Sequence, residues 1–439
     1  MQVLRWIAAL LLWSLLIPGW SADLTIRLHG SNTVGSKLGP ELLAAYARQR
    51  GYVGVQTANA GAEEYRVEGR NARGERFIGI VKAHGTNTGY ADLVSAQADL
   101  WMASRAAKPE EVEAAKAAIG DLHSAEQEHV IALDGLALIV HPDNPLAQLS
   151  IDQIRRAYAG EVQNWSAFGG PNRPIHLYGR DDQSGTYDSF KSMVLGERAL
   201  APTTQRFESS RDLEAAVAGD PSALGFVGYS YVRQSKALAV FQGATLPLRP
   251  DSLSISTEDY LLARRLYLYS AQNASAEVQD FLRFVLAPAG QAVVSSIGFV
   301  AQNVFVAEAE PVAGNPEGYY AVVADAERLS VNFRFRPESS TLDSRGMRDI
   351  ERLGAFMQRP ENQGKALRLA GFAAPGERTP IITLLTVNDR VDIIAQLLAA
   401  RGVATEISRG FVGGIAVAPS GQARNERVEV WLVDRSSRM

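Results

Sequence analysis

Leu24, Ile26 and Leu28 alternate with polar neighbours, the period of a strand with one buried face. The stretch Gly30–Gly35 is turn-like, and Leu38, Leu42 and Tyr46 then recur at helical spacing as far as Gly51, a stop signal. Val53 and Val55 open another alternating segment. The unit repeats further on. Leu136 to Val140 predicts a short buried strand, and Ile151 to Tyr158 a helix. Ile175 and Leu177 predict a strand before a Gly-containing turn, and Tyr187 to Leu195 a helix. Such alternation predicts an α/β fold with mostly parallel sheets. The pattern lapses from residue 307 to 328, where Glu308, Glu310, Pro311, Gly314, Asn315 and Pro316 read as an acidic, flexible linker. It resumes near Leu329. Val331, Phe333 and Phe335 alternate, and Leu342, Ile350, Leu353 and Met357 make one helical face. Leu367 and Leu369 predict a strand, Val387, Val391, Ile394 and Leu398 a second helix, and Val428, Val430 and Leu432 a last strand. Residues 329–439 thus predict a β-α-β-α-β unit.

A chain of 439 residues exceeds what one core usually fills, so more than one folding unit is expected. With 46% hydrophobic and 21% charged residues, the composition is globular and excludes large-scale disorder. The formal net charge is -4 with no basic stripe, which argues against a nucleic-acid partner; an anion would have to be held by local geometry. Residues 1–22 read as a cleaved secretory signal. Arg5 precedes the apolar run Ile7 to Ile17, Pro18-Gly19 breaks it, and small residues up to Ala22 offer a cleavage site. The run is shorter than the roughly 20 residues needed to span a bilayer. The chain has no cysteine, which excludes disulfides, thiolate metal sites and a Cys nucleophile, and which suits the periplasm.

Three segments place hydroxyls and glycines at predicted helix starts: His29–Gly35, His84–Gly89 and Arg180–Thr186. There the first N–H groups lack intrahelical partners and the helix dipole is positive, so a tetrahedral oxyanion can accept from them. Ser and Thr hydroxyls add donors, and Arg180 a two-pronged charged one. Each loop alone reads equally well as a helix cap; it is their recurrence that points to an anion site. His29 and His84 border two of the loops, where histidines are more often structural. Ser184 near Asp182 lacks the glycine two residues before a nucleophile elbow, and there is no HExxH or Cys/His cluster. No catalysis, metal or cofactor is expected.

From Ala22 to Val306 the chain resembles the periplasmic phosphate-binding proteins of ABC transporters. The carriers are GSNTVG at Gly30–Gly35, HGTNTG at His84–Gly89, ADLWMASR at Ala98–Arg105 and DGLALIV at Asp134–Val140. Asn164-Trp165, Phe168–Gly170 and RDDQSGTYDSF at Arg180–Phe190 follow, then LGFVGYSYV at Leu224–Val232, RRLYLY at Arg264–Tyr269 and GQAVVSSIGFV at Gly290–Val300. The resemblance implies a two-lobed type II periplasmic-binding-protein fold over residues 23–306, with the ligand enclosed as the lobes close about a hinge and Asp134-Gly135 approaching one crossing between them. It assigns the oxyanion contacts to Ser31, Thr33 and Val34; to Thr86 or Thr88; to Ser104 and Arg105; and to Arg180, Ser184, Gly185 and Thr186. Many phosphate binders carry Asp at the position of Arg105, where it accepts the proton of a protonated phosphate and repels sulfate; Asp181 or Asp182 is the substitute here. Arg105 has an alternative reading as an ion pair with Glu110 or Glu111.

Residues 329–439 resemble the α+β OmpA-like peptidoglycan-associated domain. The carriers are VNFRFRPESSTLD at Val331–Asp343, the helical LLTVNDRVDIIAQLLAARGV at Leu384–Val403 and RNERVEVWL at Arg424–Leu432. The family's Asp after the middle-strand Gly is missing, since Gly371 is followed by Phe372, Ala373 and Ala374. Arg390, Asn425 and Arg427 fit the remaining wall-contact motif. The expectation is an exported, periplasmic solute-binding protein for phosphate or a similar oxyanion, serving an ABC permease or scavenging, its C-terminal domain associating with peptidoglycan or docking another protein. The alternative is a structural, adhesion or signalling protein of the cell envelope that uses the binding fold without transport.

Overall fold

The computed structural model describes residues 23–182, 184–308, 313–335, 339–373, 379–418 and 423–435. The expected signal segment lies outside them. Strands in chain order are β1 Leu24–Gly30, β2 Val53–Gly61, β3 Glu64–Arg70, β4 Arg76–Lys82, β5 Leu100–Ala103, β6 Glu128–Val140, β7 Gln148–Ser150, β8 His176–Arg180 and β9 Gln205–Phe207. There follow β10 Ala223–Gly228, β11 Lys236–Ala237, β12 Ala239–Phe241, β13 Ala263–Ser270, β14 Val306–Ala307, β15 Glu327–Phe333, β16 Lys365–Ala373, β17 Thr405–Val412 and β18 Arg427–Asp434.

One sheet, ordered β2-β3-β4-β1-β5-β13-β6-β10-β8-β9 with β11 also on β6, runs through two lobes. Each lobe has its own apolar core. Leu28, Leu43, Phe77, Met102 and Phe281 lie in the first, and Leu138, Ile154, Trp165, Phe226 and Val240 in the second. The lobes share β6: its first half pairs with β13 as far as Gly135, and its second half with β10 from Leu136. The return crossing runs from Tyr260 into β13 at Ala263, where the Leu136 N–H donates to Leu262 O at 2.9 Å. The expected short strand at Leu136–Val140 is therefore the end of a 13-residue strand.

The sheet is mixed, which corrects the expectation of mostly parallel pairing. β1 runs parallel to β4 and β5, and β8 to β9 and β10, but β13 is antiparallel to both of its neighbours. Side-chain periodicity reports which face is buried, not strand direction, so a strand returning from the other lobe is invisible to it.

The C-terminal unit has the sheet order β14-β15-β18-β16-β17, parallel only at β16–β17. Helices Ser344–Met357 and Pro380–Ala399 cover one face, with Ile350, Leu353, Val391 and Ile394 packed on Leu329, Val331, Leu369 and Val430. The stretch expected to be a linker departs from that expectation. It contains the last residue of β14 and a helix, Glu317–Val323, whose Tyr319, Val322 and Val323 are buried with Phe372, Phe411 and Trp431 on the opposite face. The 3–4 residue spacing of those three side chains is what makes a packing helix of an acidic stretch. Among the described residues, no helix is long and apolar enough to cross a membrane.

Candidate functional site

The three hydroxyl-bearing loops meet between the lobes. β1 ends at Gly30, where φ is +130° and an added Cβ would lie 2.3 Å from Met102 O; only glycine lets the two strand ends approach so closely. Ser31 N–H donates to that same oxygen at 2.9 Å, and Gly85 N–H to Gly30 O at 2.8 Å, so the first and second loops are tied together by backbone. Ser31, Thr33 and Val34 are all buried. The Ser31 Oγ has no hydrogen-bond partner among the described residues.

Helix Thr86–Val94 starts at the second loop. Thr86 Oγ1 lies 3.2 Å from Ser104 Oγ and accepts from Ser104 N at 3.3 Å. Thr88 Oγ1 instead donates back to Gly85 O at 2.9 Å, so Thr86 is the residue that joins the cluster. Arg105 does not join it either. Its guanidinium is held by both Glu111 oxygens, at 2.7 and 2.6 Å, and by Asn87. The ion-pair alternative is thus the arrangement found, and the Arg pulls the Glu111 carboxyl down although burial alone would raise it.

The third loop comes from the second lobe. Ser184 caps helix Gly185–Phe190, its Oγ accepting from Thr186 N at 3.2 Å. Gly185 sits directly against the first lobe: an added Cβ would lie 2.3 Å from Ser104 Oγ and 3.4 Å from Thr86 Oγ1. Thr186 Oγ1 meets Thr33 Oγ1 at 3.3 Å across the cleft. Arg180 is buried and donates to Phe207 O, Ser210 Oγ and Glu208 O, which shape the loop beside it. Asp182 pairs with Arg206. His29 and His84 are held by Asp92 and Glu64.

Two residues that the sequence does not place at the site organise this junction, one of them Asp134 beside the expected crossing. Arg264 of β13 donates to Gly185 O at 3.1 Å, Ser189 Oγ at 3.0 Å and Thr186 Oγ1 at 3.1 Å. Asp134 of β6 receives Nε and Nη2 of the same guanidinium at 3.0 and 2.6 Å. Both are almost wholly buried, at 6% and 1% exposure, so the pair is desolvated and directional. The other carboxylate oxygen, Asp134 Oδ1, has no partner among the described residues. A charged residue inside the otherwise apolar strand around Leu266 was the available signal.

A cavity of about 390 Å³ opens beside the junction, lined by Thr33, Thr186, Arg180 and Arg264 together with Lys37, Glu63 and Glu208. Burial pushes the Glu63 carboxyl up, and the Glu208 charge across the cleft adds to this. Convergent hydroxyls and arginines facing a pocket between two lobes suit a small, hydrogen-bonding anion: hydroxyls serve ionised and protonated oxygens alike, and the arginine supplies fixed charge. In the C-terminal unit, Arg390 pairs with Glu426 at 2.6 Å, donates to Ser339 O and stacks over Phe335. Asn425 Oδ1 accepts from Val417 N and Ala418 N, and Arg427 pairs with Glu429 over the Phe372 ring.

Protein SphX of Synechococcus elongatus is 29% identical over 259 residues, covering 55% of this chain and 73% of that one. The phosphate-binding protein PstS of Pseudomonas aeruginosa is 28% identical over 247 residues (52% and 75%), and that of Bacillus subtilis 25% over 206 residues (47% and 64%). Among solved structures, an ABC-type phosphate transport receptor from Vibrio cholerae aligns with a TM-score of 0.49 at 24% identity, over 63% of this chain and 99% of that one. A model of the PBP superfamily domain matches residues 19–289, which span both lobes and every loop of the junction. With more than half of its length accounted for in this way, the chain belongs to the PBP superfamily and has its two-lobed α/β periplasmic-binding-protein fold.

Proposed function

We propose that the chain is an exported receptor that captures inorganic phosphate between its lobes and delivers it to an ABC permease, with no bond broken. The observation that carries this reading is the junction at Gly185, where hydroxyls of Thr33, Thr86, Ser104 and Thr186 and the guanidinium of Arg264 converge from both lobes. Relatives named for phosphate binding support the ligand class. In this reading Ser31 and Val34 line the first-lobe wall, while Ser184 and Arg180 shape the second-lobe wall. Isothermal titration of the full chain with phosphate and with sulfate tests it: phosphate should bind saturably, and absence of heat with both anions overturns the reading.

We further propose an OmpA-like, wall-associating role for the C-terminal unit. Its support is the strand–helix order together with Arg390 on the second helix and Asn425 and Arg427 at the last strand. Because Arg390 already holds Glu426, a wall carboxylate has to displace an internal partner. Pull-down on purified sacculi, with Arg390→Ala losing retention, is the test; retention by the variant equal to that of the parent removes the Arg role.

A further inference from the structure

The C-terminal unit is bonded to both lobes, on the second-lobe side beside the return crossing and on the first-lobe side at the start of β6. On the second-lobe side, Arg334 pairs with Asp259 at 2.7 Å and donates to Thr257 O at 2.8 Å. Arg345 pairs with Glu258 at 2.9 Å and donates to Ser256 O at 2.6 Å, and Arg424 donates to Leu261 O at 2.8 Å. On the first-lobe side, Ser344 Oγ donates to Glu128 at 2.6 Å and Arg348 to Ala125 O at 2.8 Å. Residues 256–261 lead into the return crossing at Ala263, and Glu128 begins β6, six residues before its own crossing at Asp134, so the unit is bonded on either side of the hinge.

The hinge strand carries the connection onward. Side chains alternate along β13. Arg264 points to the anion junction at Gly185 and Thr186, while its neighbour Arg265 pairs with Glu258 at 2.7 Å and with Asp343 of the C-terminal unit at 2.8 Å. Two successive residues of one strand therefore bind the junction and the docked unit. Arg345–Glu258 is buried, Arg334–Asp259 and Arg265–Asp343 are partly buried, and all are multiply bonded, so losing one partner leaves a poorly solvated charge and is costly. A change in the angle between the lobes moves Glu128 relative to Glu258 and cannot leave all of these bonds intact.

We propose that the C-terminal unit is a clamp across the hinge, whose docking sets the angle between the lobes and thereby the affinity of the cleft for phosphate. The affinity part rests on the phosphate reading above; the lobe-angle part does not. Coupling of this kind is reciprocal: whatever strains the docked unit, including a partner that engages it, changes ligand affinity, and ligand changes docking.

The chain contains no cysteine, so a labelled pair is unambiguous. Spin labels at Gln97→Cys on the first lobe and Glu197→Cys on the second, both exposed, report the lobe angle by electron–electron distance measurement. The full chain is compared with Arg334→Met and Arg345→Met, singly and together, and with the milder Asp259→Asn in case the arginine variants do not melt cooperatively. The expected result is a shifted or broadened label distance and a phosphate Kd changed about fivefold or more. An unchanged distance distribution, or a Kd within twofold of the parent in a variant whose distance has shifted, overturns the clamp. Altered distances in a chain whose parent form binds no phosphate would uphold the hinge clamp and refute the phosphate reading instead.

Discussion

Gly185→Ala isolates the closed cleft from the rest of the fold. Gly185 is the first residue of helix Gly185–Phe190 and is not among the positive-φ glycines, so alanine is acceptable to the backbone there. The added methyl, however, would lie 2.3 Å from Ser104 Oγ, more than an ångström inside normal contact at about 3.5 Å. Ser104 has little room to yield, since it is buried and bonded to Thr86. The clash crosses between lobes, so it penalises only the arrangement in which they meet. Overpacking of this size costs about 1–3 kcal/mol. Charged against the closed state alone, it weakens phosphate binding roughly 5- to 150-fold. Calorimetric titration alongside thermal unfolding separates the effects: the melting temperature of the ligand-free chain should stay within about 2 °C of the parent while Kd rises. A Kd unchanged within twofold, with melting also unchanged, refutes the argument that the lobes close on this contact.

Three further outcomes follow from the same geometry. Asp134→Ala leaves Arg264 buried without its carboxylate and should cost about 3–5 kcal/mol in urea unfolding; a loss below about 1 kcal/mol would mean that the pair does not hold the hinge. Gly89→Ala places a methyl 2.2 Å from His29 O, so thermal unfolding should show destabilisation despite alanine's better helix propensity of about 1 kcal/mol, and a rise in melting temperature would contradict the close packing of helix on strand. His129 is pushed down to about 3 by burial and by Arg348, from an ordinary 6.5. Native His129 therefore stays neutral while the unfolded chain takes up a proton below about pH 6.5, so its contribution to stability is complete above that pH and is lost as pH falls towards 3. The loss reaches about 2 kcal/mol at pH 5, and His129→Gln, followed by denaturant titration at pH 7 and pH 5, should remove that part of the acid sensitivity.

The hydroxyl loops were legible because each is a local signature: Gly30, Gly85 and Gly185 mark turns, and Ser or Thr beside them marks a helix start. Their meeting was not, since Thr33 and Thr186 are 153 residues apart and no periodicity encodes which loops face one another. The pairing of Arg264 with Asp134 is hidden in the sequence for a similar reason. Each lies in an apolar strand and finds its partner 130 residues away. Arg105 is the opposite case. A motif position pointed to the ligand, while an acid six residues on, Glu111, offered a nearer bidentate partner. The helix at Glu317–Val323 was hidden by the acidic and Pro-Gly residues before it, although Tyr319, Val322 and Val323 already carried its spacing. Docking of the C-terminal unit rests on single arginines scattered along Arg334, Arg345 and Arg424, each of which looks like an ordinary surface charge in sequence.

Strand β6 has a consequence for how the molecule comes apart. It supplies the central ladder of the first lobe with one half and of the second with the other, without interruption at Asp134–Gly135. Neither apolar core can be dismantled without stripping hydrogen bonds from a strand on which its neighbour depends. Although the lobes bury separate sets of side chains, chemical denaturation should melt them in one cooperative step, and amide exchange along β6 should be as slow at its midpoint as at its ends.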